Sequence, residues 1–103
     1  MRVTYRLATN TLASVAAEAA WAESMGYDSM SSNETSHDSF LPLTLAATST
    51  TRAILETRVA IAFPRSPMIT AYLGRDLNNL SKGRFRLGLG TQVKSCLLYA
   101  YPS

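Results

Sequence analysis

The chain has 103 residues, 47% apolar and 17% charged, with a net charge of +3. That composition excludes a disordered chain and bounds the protein to one domain with a modest core. Its basic residues are scattered, with Arg84 and Arg86 as the densest pair, so a nucleic-acid surface, which would cluster its charge, is not expected.

Val3 to Leu7 predicts a first strand, apolar at Val3, Tyr5 and Leu7. Arg2 and Arg6 precede an alanine-rich stretch, but Thr9, Asn10, Thr11, Ser14 and Glu18 interrupt it too often for a secretory signal. Leu12, Val15, Ala16, Ala19, Ala22 and Met25 recur at helical spacing, and Gly26 stands where a helix C′ residue belongs. Tyr27 to Ser31 is a short second strand, and Ser32 to Phe40 a polar loop carrying Glu34, His37 and Asp38. Pro42 suits the first turn of a second helix that runs to about Thr50. Thr57 to Phe63 is the third strand, with Val59, Ile61 and Phe63 on one face. Ser66 and Pro67 are an N-cap and a first-turn proline for a third helix that closes at Ser81-Lys82-Gly83. Phe85, Leu87 and Leu89 then alternate with Arg84, Arg86 and Gly88 in a fourth strand, with Gly90 at its exit.

Strands that begin roughly 25–30 residues apart with a helix between each pair build a parallel sheet. Both the doubly wound sheet and the eightfold barrel use that alternation. A complete barrel needs about 250 residues, so four strands make half of one. No segment approaches the roughly eighteen apolar residues of a membrane span. Cys96 is the lone cysteine, which excludes an intramolecular disulfide and fits a cytoplasmic setting.

Three runs carry a family resemblance. They are Glu34-Thr-Ser-His37-Asp-Ser-Phe-Leu-Pro-Leu, Val59-Ala-Ile-Ala-Phe-Pro-Arg65-Ser66-Pro67-Met68, and Leu80-Ser-Lys-Gly-Arg-Phe-Arg-Leu-Gly-Leu-Gly-Thr-Gln. In this order they resemble the bacterial luciferase-like superfamily, in particular its coenzyme F-420 (deazaflavin)-dependent oxidoreductases. The resemblance implies an α/β fold, the N-terminal half of a TIM barrel with four parallel strands in the order 1-2-3-4. It also implies a deazaflavin or reduced FMN across the C-terminal strand ends, serving hydride transfer or monooxygenation of a small organic substrate. On the same basis His37 and Glu34 are the candidate catalytic residues. Ala62 and Phe63 fall where the family commonly has a non-prolyl cis peptide, and Gly90, Thr91 and Gln92 border the cofactor. Two departures stand out. Val93 and Lys94 occupy the place where several deazaflavin enzymes have a carboxylate, and the family's phosphate-binding elements belong to the second half of the barrel.

Read without the family, each residue has a plainer alternative. His37 suits a general acid/base or a substrate contact, or is a solvated loop histidine. Glu34 is equally a surface carboxylate, and Glu34, His37 and Asp38 lack the further histidine a metal site would need. Gly88 and Gly90 give close backbone approach either to a ligand or to a neighbouring strand, and a lone G-x-G is not a dinucleotide fingerprint. Arg65-Ser66-Pro67 is a helix cap first and a ligand contact second. Residues 1–94 form the barrel portion, and the apolar tail of residues 95–103 reads as a truncated or frame-shifted end, or else a natural short tail. A half barrel would expose two open strand edges and an apolar inner face, which predicts self-association rather than binding to nucleic acid or membrane. A non-catalytic half barrel acting only with another chain is the alternative function, and a small nucleotide-binding module a third.

Overall fold

A computed structural model of the chain describes residues 2–7, 11–34, 37–62 and 65–90. The expected alternation is present. Strand β1 is Thr4–Arg6, followed by a 3-10 turn at Leu12–Ser14 and helix α1, Val15–Ser24. Strand β2 (Ser29–Ser32), helix α2 (Phe40–Ser49) and strand β3 (Ile54–Thr57) follow. A two-residue strand β4 (Ala60–Ile61), helix α3 (Pro67–Leu80), and strands β5 (Phe85–Arg86) and β6 (Leu89–Gly90) complete the described elements. The main sheet is parallel throughout, in the order β1-β2-β3-β5.

Register decides what each face buries. Tyr5, Met30, Leu55 and Phe85 lie side by side across the sheet. Met30, Leu55 and Phe85 belong to one core cluster with Val15, Ala19 and Ala22 of α1, Phe40, Leu43 and Ala46 of α2, and Leu77 of α3. All three helices therefore cover the same face of the sheet. Full burial of side chains such as Met30, Leu43 and Leu55 is worth about 1.5–3 kcal/mol each.

The opposite face corrects an expectation. Its central row is Arg6, Ser31, Glu56 and Arg86, not an apolar surface. Glu56 is held between Arg2 (3.5 Å) and Arg58 (3.4 Å), which is how a carboxylate is tolerated in mid-strand.

The third strand also differs from its expected span. In the main sheet it is Ile54–Thr57 rather than Thr57–Phe63, because Leu55 and Thr57 supply the buried alternation and Glu56 masks it in the sequence. The chain then breaks at Arg58–Val59, a non-prolyl cis peptide, and resumes as β4. The fourth strand breaks at the same level, at Leu87–Gly88, and resumes as β6, which pairs with β4 in parallel. Between the two ladders the Thr57 hydroxyl donates to Gly88 O and accepts from Gly88 N–H, both at 2.8 Å. One side chain thus satisfies both backbone groups that the ladder would have paired.

The helix ends follow the sequence closely. At the α1 C-terminus, Tyr27 N–H reaches Ala22 O and Gly26 N–H reaches Glu23 O, with Gly26 at φ +96°. That pair of bonds is a Schellman closure, and the positive φ favours glycine. Ser66 Oγ accepts from Ile69 N–H (3.1 Å) ahead of Pro67 at the start of α3. No helix among the described residues is long and apolar enough to cross a membrane.

Candidate functional site

The loop that leaves β2 turns back toward β4, and one arginine holds them together. Glu34, two residues past β2, accepts from Ile61 N–H at 2.7 Å. It also accepts from Arg65 Nη1 (2.8 Å) and Nη2 (2.6 Å), a bidentate pair. Arg65 donates further to Asp38 Oδ1 (2.6 Å) and Ile61 O (3.1 Å), and its guanidinium lies 4.8 Å from the centre of the Phe40 ring. Asp38 in turn accepts from Phe40 and Leu41 N–H through Oδ2 (2.7 and 2.6 Å), closing the start of α2. Arg65 and Glu34 side chains are only 13% and 14% exposed, so each charge depends on the other. The hydrogen bond with Glu34 raises the Arg65 pKa, against the opposing effect of burial, and Asp38 adds to the rise.

The candidate residues lie at the C-terminal edge of the sheet. His37 is exposed and takes part in no side-chain hydrogen bond among the described residues. Ala62, half-buried, donates its N–H to Gly90 O at 3.0 Å. A Cβ on Gly88 would stand 2.4 Å from Thr57 O, and one on Gly90 would stand 2.7 Å from Val59 Cγ2. Close strand packing therefore accounts for both glycines, the plainer of the two readings. The Ala62–Phe63 bond cannot be placed, because Phe63, Thr91 and Gln92 lie outside the described residues. Among the described residues the non-prolyl cis bond is Arg58–Val59, upstream of the expected position. No group of acidic, histidine or cysteine residues suited to a metal occurs among the described residues.

Arg65 is the residue that sequence reasoning undervalued. It caps nothing. Ser66 caps α3, while Arg65 organises the β2 loop, β4 and the start of α2. Its partners lie 27 and 31 residues away, and the only sequence signal was two carboxylates in the β2 loop with one arginine after β4. Beside Ala62 and Arg65 opens a groove of about 270 Å³, walled by Pro67, Ala71, Leu87 and Leu89.

Comparison with known proteins is consistent with this geometry. The luciferase-like monooxygenase family matches residues 2–96. Uncharacterized proteins of Mycobacterium tuberculosis (Rv1360) and Mycobacterium bovis (Mb1395) are each 52% identical over 85 residues, covering 82% of this chain and 25% of theirs. The coenzyme F-420 dependent tetrahydromethanopterin reductase of Methanopyrus kandleri superposes with a TM-score of 0.86 at 24% identity, over 96% of this chain and 29% of that one. The oxygenating constituent of 3,6-diketocamphane monooxygenase from Pseudomonas putida, solved with FMN, gives 0.83 at 19% identity, over 97% and 32%. The chain belongs to the luciferase-like monooxygenase family, in the fold of its TIM-barrel relatives. It spans about a quarter of the length of the curated relatives it matches.

Proposed function

We propose that the chain is the cofactor-facing N-terminal part of a cytoplasmic luciferase-like oxidoreductase that uses coenzyme F-420 or FMN on a small organic substrate. The observation that carries the reading is the family match over residues 2–96, joined to a C-terminal strand edge whose backbone is fixed by charged side chains. A planar ring system fits that edge at Ala62 and Gly90, where the largest side chain is a methyl group and the two backbones are already bonded. Phe63, Thr91 and Gln92 continue the same edge in sequence. When bound, the cofactor supplies hydride or, in reduced form, reacts with oxygen. His37 is exposed and so able to exchange a proton with substrate, whereas Glu34 is a positioning residue that acts through Arg65 and Ile61. The described residues grip a ring rather than a phosphate, so affinity of this chain alone is expected to be weak.

Amide NMR shifts of the labelled chain, titrated separately with FMN and coenzyme F-420, test this. Shifts confined to Ala62, Gly90 and the loop around His37, at ligand levels up to about 1 mM, are the expected result. Shifts centred at the other end of the sheet, near Trp21 and Tyr27, or none with either ligand, would remove the proposal.

A further inference from the structure

The concave face of the sheet is short of negative charge. Arg6 and Arg86 flank Ser31 and Glu56 in one row, and Arg2 and Arg58 reach Glu56 from either side. Four arginines thus share one glutamate on this face. The side chains of Arg2 and Arg58 are 52% and 59% exposed, and Arg6 and Arg86 are exposed too. The face also ends in open edges. Among the described residues β1 pairs only with β2, and β5 only with β3. In the barrels this chain resembles, of which it covers about a third or less, further strands lie across such a face.

We infer that this face is a docking surface for barrel strands whose own inner face is acidic, in whichever polypeptide they lie. The same charge turns away a second copy of this chain as the closing half. Face to face, two copies would bring twice four arginines together with twice one glutamate, inside a space that excludes most water. Like charges placed opposite one another penalise the wrong partner by more than matched charges reward the right one. Backbone pairing at the open edges supplies the attraction, and the arginines decide what it is spent on.

The chain can be turned into its own probe. An Arg6→Glu/Arg86→Glu variant presents an acidic inner face on the same backbone. It is mixed in equal amount with isotope-labelled native chain, and dimers are counted by native mass spectrometry, with circular dichroism confirming that the variant is folded. Random pairing makes about half of all dimers mixed. At low salt the mixed dimer is expected to exceed the native homodimer by roughly tenfold over the random ratio, falling back toward it as salt rises to about 0.5 M. A random ratio at every salt concentration would mean that contacts form elsewhere, and would overturn the inference. So would an absence of mixed dimers at about 50 μM. Arg86→Glu alone serves as the probe if the double variant does not fold, with the same expected direction.

Discussion

The two ends of the sheet use charge differently. At the N-terminal end each charged side chain is committed to nearby backbone. Glu23 accepts from the N–H groups of Thr51, Arg52 and Ala53, at 2.7 to 3.2 Å, and so holds the turn that leads into β3. Arg84 donates to the carbonyls of Ala47, Thr50, Ala53 and Ser81, closing the end of α2, whose last carbonyls lack helical partners. At the C-terminal end charge is paired with charge, Arg65 with Glu34 and Asp38, and the backbone of Ile61 is held as part of that pairing. The first arrangement makes a closed floor. The second fixes an edge while leaving His37 exposed and Ala62 and Gly90 partly open, which is what a site needs from its scaffold.

The largest break in that comparison should come from Arg65→Met. The substitution keeps the apolar stem over Phe40 but leaves the carboxylates of Glu34 and Asp38 without their common cation. Removing one partner of a largely buried pair costs more than the pair itself contributes. Because Asp38 is 32% exposed, the expected loss is below the fully buried case, at roughly 2–4 kcal/mol in urea unfolding. Hydrogen exchange should quicken at Ala62, whose N–H bonds Gly90 O, before it does at Leu55 in the main sheet. A loss under about 0.5 kcal/mol would make this an ordinary surface pair and erase the distinction between the two ends.

What the sequence disclosed and what it concealed divides along similar lines. Gly26, Ser66-Pro67 and Ser81-Lys82-Gly83 were legible because helix ends are written in local residue types, and each closes its helix as expected. The parallel order followed from element spacing alone. The paired breaks at Arg58 and Gly88 were hidden, since they depend on a Thr57 hydroxyl meeting a backbone 31 residues away. The polar inner face was hidden for a related reason. Alternation in each strand shows that two faces differ, but only register across β1, β2, β3 and β5 reveals that Arg6, Ser31, Glu56 and Arg86 form one row. Of the candidate site, Glu34 and His37 were legible as residues, but not their separate situations, one locked and one exposed.

A smaller effect is expected at the floor. Burial works against ionisation of Glu23, but the N–H groups of Arg52, Ala53 and Thr51, with the charge of Arg52, outweigh it and hold the carboxyl below its usual range. Its stabilisation is therefore present at pH values above the ordinary carboxylate pKa of about 4.3 and is lost as pH falls through the depressed folded value. Glu23→Gln keeps the shape but exchanges a charged acceptor for a neutral one. It should cost about 1–2 kcal/mol at pH 7. The gap between native and variant should then narrow steadily below pH ~4. Parallel unfolding curves at pH 7 and pH 3 measure it, and a gap that stays constant between them would show that the charge of Glu23 is not what the turn responds to.

The smallest effect on stability should come from the residue most exposed at the other end. His37 sits in the loop between two locked groups, Glu34 and Asp38, yet is itself exposed and without a side-chain hydrogen bond among the described residues. The neighbouring ion pairs already fix the loop, so the imidazole adds nothing that the fold requires. His37→Gln should consequently change unfolding free energy by no more than about 0.5 kcal/mol, the range for surface substitutions without special contacts. In a completed barrel with cofactor bound, the same substitution should lower turnover by roughly 10²–10⁴-fold if the imidazole transfers a proton in the reaction. The unfolding measurement gives that second result its meaning, because a stable variant that turns over slowly has lost chemistry and not structure. A His37→Gln chain destabilised as much as Arg65→Met would instead place His37 within the clamp, and the exposed edge would have no proton-carrying group of its own at that position.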